Sequence, residues 1–250
     1  MAGRRTAIIS GGCGGVGQVV GRKLAEDGFD VVLFYRSTLP DKAAAIIQGF
    51  APGNHAALKC DLLDEQSVGG AIKSITESHG GIYACIHAAV DPVVRKNVLE
   101  MESAEVANQL AVAFWGGLHL FKQTAPVMQH QGEGVIVGIL SRVVEPGSRY
   151  SRMAGTTIAK YALRGLLKEF DGDLTPFRVS VNGIAPDFMD TPLNRDLPPE
   201  VRRFIAERAA SGSIKTPEDV ALAVSFLCSP AGKDIHGKVF SFEERELSSL

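Results

Sequence analysis

A glycine-rich stretch near the N-terminus is the part of the chain best suited to bind an anion. The apolar run Ala7–Ile9 is followed by Ser-Gly-Gly-Cys-Gly-Gly-Val-Gly and then by apolar residues at helical spacing. The first amide groups of a helix lack internal partners, and the helix dipole adds partial positive charge there. Because glycine also lets a phosphate approach the backbone, we predict a nucleotide site at Gly11, Gly15 and Gly17. A purely structural turn is the alternative.

Polar residues follow two further apolar runs that are typical of strands. Arg36 and Ser37 come shortly after the first of these, and Asp61 comes after the second. An arginine with a neighbouring hydroxyl can pair with a ribose 2′-phosphate, which favours NADP over NAD, whereas a surface arginine on a loop is the alternative. Asp61 can accept a hydrogen bond from an adenine amino group, and a helix cap at Asp61 or Asp64 is its alternative role.

Strand and helix patterns alternate from one end of the chain to the other, and this alternation must position those residues. Continuous apolar runs are typical of strands that are buried on both faces of a parallel sheet. We therefore predict an α/β fold, a doubly wound parallel sheet of about seven strands with helices on both faces, in one domain over residues 1–250. The predicted strands are Ala7–Ile9, Asp30–Phe34, Ala56–Lys59, Tyr83–His87, Val135–Ile139, Val179–Ile184 and Lys238–Phe242. Long helices are predicted around Ser103–His130, broken or bent near Gly116-Gly117, and over Thr156–Leu174.

Composition and charge exclude several classes of function. The chain has 250 residues, of which 45% are apolar and 22% charged, and its net charge is −2. This charge gives no electrostatic basis for binding nucleic acid or an anionic membrane, and no apolar run is long enough to span a bilayer. The six histidines and four cysteines show no metal-ligand spacing, so we predict no metal site. We also expect no secretory signal and a cytoplasmic location with reduced thiols.

Several stretches, in this order along the chain, resemble the short-chain dehydrogenase/reductase family. They are Ser10-Gly11-x3-Gly15-Val16-Gly17, Cys60-Asp61-Leu62, Val93–Met101, and Val181-Asn182-Gly183-Ile184-Ala185-Pro186 followed by Thr191. The third stretch is similar to bacterial 3-oxoacyl-ACP reductases. The resemblance covers nearly the whole chain and implies a Rossmann-type domain that binds NADP(H), with Pro186, Thr191 and Lys160 among its cofactor residues.

The resemblance also implies a catalytic arrangement that this chain keeps only in part. Family members protonate the reacting carbonyl with a tyrosine, and a lysine four residues later lowers the pKa of that tyrosine and holds the cofactor ribose. Lys160 matches the lysine, which places Thr156 at the tyrosine position, and Ser141 matches the serine that polarises the carbonyl. Because a threonine hydroxyl is a far weaker acid than a phenol, Thr156 is a poor replacement near neutral pH.

Further positions depart from the family pattern. The family asparagine that supports a proton-relay water corresponds to about Ala113 in this chain. The family stretch Asn-Asn-Ala-Gly, which braces the sheet, corresponds to His87-Ala88-Ala89-Val90. The family Gly-Gly after the last strand corresponds to Glu243-Glu244. We expect His87 to be a core histidine. Asp187 replaces the glycine that follows the family proline, and it either disturbs cofactor binding or caps a turn.

Tyr150 is the nearest candidate for a substitute proton donor. It lies in the loop between Ser141 and the helix that carries Lys160, so it would have to swing toward Ser141. Tyr161 is adjacent to Lys160 and therefore points to a different face of the helix. A working donor needs tight positioning, and we therefore favour the interpretation that no tyrosine replaces the missing one.

Three functions fit these residues. The first is a non-catalytic or impaired subunit of a hetero-oligomeric NAD(P)-dependent dehydrogenase/reductase that acts on a hydroxyacyl or oxoacyl thioester, partnered by an active paralogue, with cofactor binding weakened or lost. The second is an active NADPH-dependent 3-oxoacyl thioester reductase that uses Tyr150, or water with Lys160, as its proton donor. The third is a non-redox isomerase or dehydratase on the same fold. We also expect oligomerisation, since the helix over Thr156–Leu174 is rich in small and apolar residues.

Overall fold

Seven parallel strands form one sheet in the order β3-β2-β1-β4-β5-β6-β7. The computed structural model describes residues 4–147, 152–189, 191–194, 198–208 and 214–242. The strands are β1 (Thr6–Ser10), β2 (Asp30–Tyr35), β3 (Ala56–Lys59), β4 (Ala84–His87), β5 (Gly134–Ile139), β6 (Val179–Ala185) and β7 (Val239–Ser241). The predicted doubly wound parallel sheet is confirmed.

Eight α-helices connect or follow these strands in the described chain. They are α1 (Gly17–Glu26), α2 (Pro40–Gln48), α3 (Glu65–His79), α4 (Ser103–Leu110), α5 (Gly117–Gln131), α6 (Ala154–Leu174), α7 (Pro199–Arg208) and α8 (Pro217–Cys228). Local sequence explains several helix ends. Pro40 begins α2, Asp64 caps α3 by accepting a hydrogen bond from the Gln66 amide, and Gly80 ends α3 in a left-handed conformation.

The sheet separates two apolar cores. Successive side chains of a strand point to opposite faces, so Ile8 packs into one core and Ile9 into the other. All residues of β1, β5 and β6 are buried, which explains why these strands appear in the sequence as unbroken apolar runs. Helices α1 and α8 cover one face, while α3, α5 and α6 cover the other.

The strand order reverses between β1 and β4. The chain runs outward from β1 through β2 to β3 and then returns to place β4 on the other side of β1. The segments that follow β1 and β4 therefore diverge above the carboxyl edge of the sheet. This geometry opens a crevice at the position where open α/β sheets bind ligands.

A π-helical turn, Ala111–Gly116, joins α4 to α5. The sequence predicts a break or a bend near Gly116-Gly117. The structure shows no break there, because the helix continues through widened turns over Ala111–Gly116. Gly116 packs against Leu62, where an added Cβ would lie 3.0 Å from the Leu62 Cβ. Residues of this turn face the carboxyl end of β4, so the distortion lies beside the crevice.

The described chain also bears on the cysteine, metal and membrane predictions. Cys60, Cys85 and Cys228 are buried free thiols, and Cys13 is half-buried and free. Among the described residues, no three His, Cys, Asp or Glu side chains are grouped to hold a metal ion. None of the described helices combines the length and apolarity needed to cross a bilayer.

Two glycines give a matched test of how the backbone constrains the fold. A Cβ on Gly17 would lie 2.3 Å from the Gly11 carbonyl oxygen, whereas a Cβ on Gly172, within α6, would meet nothing within 4 Å. We expect Gly17→Ala to lower the free energy of unfolding by about 2 kcal/mol or more. Gly172→Ala should raise it by about 0.5–1 kcal/mol, since alanine favours helix. Urea denaturation of both variants checks this, and shifts in the same direction would contradict it.

Candidate functional site

One cavity of about 790 Å³ occupies the carboxyl edge of the sheet. It is lined by every predicted site residue that the structure describes, namely Gly11, Gly15, Gly17, Arg36, Ser37, Asp61, Ser141, Thr156, Lys160, Pro186 and Thr191. Tyr150 and Glu243-Glu244 lie outside the described residues. The structure thus brings the predicted positions together, and their individual roles stay predictions.

The glycine-rich turn provides a backbone surface that fits phosphate groups. Gly11 has φ +65°, and a Cβ there would lie 2.7 Å from the Cα of Ala89 in the segment after β4. A Cβ on Gly15 would lie 3.1 Å from the Pro192 Cδ. Helix α1 begins at Gly17 with no side-chain cap and no acidic residue in its first turn. The Gln18 amide already donates to the Gly14 carbonyl oxygen at 3.1 Å, so an anion at the cavity wall, such as a dinucleotide pyrophosphate, would meet other amides of this turn, such as that of Gly17.

Arg36 lies at the end of the cavity next to β2 and forms an ion pair. Its Nη2 is 3.6 Å from Oδ1 of Asp91, a residue that follows β4 and also lines the cavity. The Arg36 side chain is 53% exposed and the Asp91 side chain 21% exposed. The guanidinium predicted to bind a ribose 2′-phosphate therefore already faces a carboxylate.

Asp61 lies at the mouth of the same end and makes a local hydrogen bond. Its Oδ1 accepts from the Leu63 amide at 3.0 Å, while the adjacent helix α3 is capped by Asp64. The helix-capping alternative therefore belongs to Asp64. Asp61 lines the cavity beside Leu62, so a role in contacting adenine stays a prediction.

The other end of the cavity carries Ser141, Thr156 and Lys160. Lys160 is 7% exposed, and its Nζ donates a hydrogen bond to the Ile139 carbonyl oxygen at 2.7 Å. Burial lowers the pKa of Lys160 to about 8, since the charged ammonium is removed from water. Thr156 lies one turn earlier on the same face of α6. Its hydroxyl oxygen is buried and makes no hydrogen bond within the described chain.

His87 is a core histidine, as predicted, and it connects three elements. Its Nε2 lies 3.1 Å from the Ala113 carbonyl oxygen, which can only accept, so Nε2 carries the proton. Nδ1 then accepts from the Ser10 hydroxyl at 2.7 Å. Burial, followed by the nearby charge of Lys160, lowers the pKa of His87 to about 4. The neutral ring thus occupies the Ala113 carbonyl oxygen and joins β4 to the π-helical turn.

Asp187 pairs with a residue that the sequence analysis did not single out. Its Oδ2 is 2.6 Å from Nη1 of Arg142, and its Oδ1 accepts from the Phe188 amide at 2.7 Å. The Arg142 amide donates to the Pro186 carbonyl oxygen at 2.9 Å. The ion pair thus ties the segment after β5 to the segment after β6, and both predicted roles of Asp187 stay predictions.

The segment after β6 lines the Ser141 end of the cavity with apolar side chains. Asn194 connects this cover to the segment after β4, because its Oδ1 accepts from Nη2 of Arg95 at 2.9 Å. Its backbone carbonyl oxygen accepts from Nη2 of Arg202 in α7, also at 2.9 Å. The apolar lining includes Val93, Val143, Met153, Phe188, Met189 and Leu193.

Sequence reasoning missed Asp91, Arg142 and the hydroxyl of Ser10. Asp91 and Arg142 each lie within four residues of the carboxyl end of a predicted strand, so the rule that led to Arg36 and Asp61 also applies to them. The partner of each could not be deduced, because both ion pairs join segments that are far apart in the sequence. Nothing in the sequence predicts a role for the Ser10 hydroxyl, because its hydrogen bond to His87 is visible only in the structure.

A family model described as enoyl-(acyl carrier protein) reductase matches residues 12–243. The 3-oxoacyl-[acyl-carrier-protein] reductase of Aquifex aeolicus is 29% identical over 241 residues, which cover 94% of this chain and 94% of that protein. The cis-4-hydroxycyclohexanecarboxylate dehydrogenase of Sinomonas cyclohexanicum is 26% identical over 241 residues, which cover 96% and 95% of the two chains.

Solved structures share the fold. The 3-ketoacyl-(acyl-carrier-protein) reductase of Brucella melitensis, crystallised with NADH, superimposes with a TM-score of 0.87 at 21% sequence identity. The match covers 97% of this chain and 98% of that one. At this identity the likeness shows the architecture alone.

The low pKa of His87 makes folding sensitive to acid. In the unfolded chain this histidine binds a proton below about pH 6.5, whereas in the folded chain it binds one only near pH 4. The free energy of unfolding therefore decreases as the pH is lowered from about 6.5 to about 4. We expect this histidine to account for a loss of about 2 kcal/mol between pH 7 and pH 5. His87→Asn should lack that loss, as measured by urea denaturation at both pH values.

The matched control is Ser10→Ala, which removes the hydroxyl that donates to Nδ1 but keeps the titrating ring. This variant should be less stable than the wild type and should still lose stability on acidification. An equal acid dependence in the wild type and His87→Asn would contradict the assignment of a buried neutral ring.

Proposed function

The chain belongs to the enoyl-(acyl carrier protein) reductase family of short-chain dehydrogenases/reductases, and from this premise we propose that it is a nucleotide-binding subunit with little catalytic activity of its own. In this proposal it assembles in the cytoplasm with an active paralogue that reduces or oxidises an oxoacyl or hydroxyacyl thioester. The observation that carries the proposal is the position of Thr156, which lies one helical turn before Lys160 where the family has its tyrosine.

The nucleotide site is supported by the glycine-rich turn and the uncapped start of α1. Gly11 and Gly15 line the cavity without side chains, and Arg36 and Ser37 line it at the end next to β2. A nicotinamide cofactor, when bound, would supply or accept a hydride. The residues of this chain would hold its phosphates and ribose, and the NADH-bound structural neighbour is consistent with such a site.

The proposed loss of catalysis is supported by the hydrogen bonding of the polar groups near Ser141. The Thr156 oxygen is buried, so it cannot contact a substrate carbonyl in this conformation. The Lys160 ammonium is bonded to the Ile139 carbonyl oxygen. The Ala113 carbonyl, which lies where the family supports a relay water, is bonded to His87. Of the described polar groups at this end, none is a phenol.

The substrate class is supported by the cavity lining and by a relative. The apolar cover that includes Phe188, Met189 and Leu193 fits an acyl chain. The Aquifex aeolicus relative is named for its action on 3-oxoacyl-acyl carrier protein, and we extend a thioester of this type to the proposed complex.

The proposed assembly is supported by apolar side chains exposed on neighbouring elements. Trp115, in the π-helical turn, is 51% exposed, and on α6 Ile158 and Tyr161 are 36% and 48% exposed. The π-helical turn packs against α6, so these elements form one side of the molecule. Burial of large apolar side chains against a second subunit would stabilise an oligomer.

Restoring the phenol tests whether its absence limits catalysis. Thr156→Tyr places a hydroxyl one turn before Lys160, and we expect reduction of an acetoacetyl thioester by NADPH to rise by about 10–100-fold over the isolated wild type. Thr156→Phe, which adds the ring without the hydroxyl, is the control and should give no gain. Equal rates for the two variants would show that the missing acid is not the defect.

A second candidate, an active reductase that uses Lys160 as proton donor, is favoured by one observation. Because burial lowers the pKa of Lys160 to about 8, its ammonium is a much stronger acid than an ordinary lysine. In this case the isolated wild type would reduce the thioester, and its rate would fall as the pH rises above 8 and the lysine loses its proton. Lys160→Met would abolish the activity. A rate that is independent of pH from 7 to 9 would rule out this donor.

A further inference from the structure

We propose that Asp91 is a selectivity residue of the nucleotide cleft, which weakens the binding of a ribose 2′-phosphate by holding the Arg36 guanidinium. This inference rests on the proposed function, because it assumes that the cleft binds an adenosine dinucleotide. The sequence alone predicts a preference for NADP over NAD from Arg36 and Ser37, and Asp91 would reduce that preference.

The ion pair crosses the cleft. Arg36 directly follows β2, whereas Asp91 lies four residues beyond the end of β4, and β1 runs between these two strands. Neighbouring strands are about 4.8 Å apart, so the pair spans roughly 10 Å across the carboxyl edge. The glycine-rich turn that follows β1 lies in this interval. A nucleotide placed against that turn therefore meets the guanidinium and the carboxylate together.

Asp91 is the more firmly positioned partner. Pro92 follows it and restricts its backbone to extended conformations. The Pro92 carbonyl oxygen accepts a hydrogen bond from Nε2 of Gln109 at 2.8 Å. Two residues before Asp91, the Ala89 backbone lies so close to Gly11 that an added Cβ would approach it to 2.7 Å. The backbone that carries Asp91 is thus held in place, and the longer Arg36 side chain is the more exposed partner of the ion pair.

The consequence for binding follows from charge. A 2′-phosphate must compete with the Asp91 carboxylate for the same guanidinium, and it must also approach that carboxylate against like-charge repulsion. A ribose that bears a free 2′-hydroxyl pays neither penalty. Because the ion pair is partly exposed and its charged atoms are 3.6 Å apart, it weakens the binding of a 2′-phosphorylated ribose only by a modest factor.

The test measures the binding of two fragments to the full chain by isothermal titration calorimetry. Adenosine 2′,5′-bisphosphate carries the 2′-phosphate, and ADP does not. We expect Asp91→Asn, which keeps the shape and removes the charge, to bind adenosine 2′,5′-bisphosphate about three- to tenfold tighter. Its affinity for ADP should stay within about twofold of the wild type.

A second variant tests whether the effect passes through Arg36. Arg36→Gln alone should bind adenosine 2′,5′-bisphosphate more weakly than the wild type. In the Arg36→Gln background, the gain from Asp91→Asn should shrink to about twofold or less, because only the repulsion between carboxylate and phosphate is then removed. Thermal unfolding of each variant verifies that it is folded.

The outcomes distinguish the selectivity role of Asp91 from the existence of the nucleotide site. If the wild type binds ADP but Asp91→Asn gains no affinity for the 2′-phosphorylated fragment, or gains equally for both fragments, the selectivity role is wrong and the nucleotide site stands. If the wild type binds neither fragment, the nucleotide site itself is wrong, and the selectivity role is overturned with it.

Discussion

The hydrogen bond from the buried Lys160 ammonium to the Ile139 carbonyl is the interaction on which the account of this site depends. An ammonium removed from water loses much of its solvation, and its pKa falls to about 8 as a result. The protein holds it there between the end of β5 and α6. The same charge helps to keep His87 neutral, and the neutral ring bonds the π-helical turn at Ala113. Lys160 thus has a structural role in this chain.

In the proposed function a cofactor cleft persists without its proton donor, and the structure suggests a physical reason for this. The lysine and the glycine-rich turn belong to the carboxyl edge of the sheet, where they contribute to packing as well as to binding. In this proposal the phenol would contribute mainly to chemistry, so we expect a threonine at position 156 to affect folding little. The threonine oxygen that remains is buried without a partner in the described chain, which is a small local penalty.

Much of the fold follows from local patterns, and part of the site does as well. The apolar runs predict the strands because both faces of a parallel sheet are covered, and Ile8 and Ile9 show this on opposite faces. The rule that ligands lie beyond strand ends leads to Arg36, Asp61 and Ser141, all of which line the cavity. The pairings of Arg36 with Asp91 and of Arg142 with Asp187 could not be predicted, because each depends on the separation between strands that are distant in sequence. The π-helical turn was predicted only as a break or a bend, since glycines indicate a distortion without specifying its form.

The most direct test of the central claim is a fluorescence titration of the isolated wild-type chain with NADPH, followed by addition of an acetoacetyl thioester. We expect saturable binding of NADPH and no oxidation of NADPH by the thioester, with oxidation appearing when an active paralogue is co-expressed with the chain. Oxidation of NADPH by the isolated chain at a rate typical of a reductase, on the order of 1–100 per second, would contradict it.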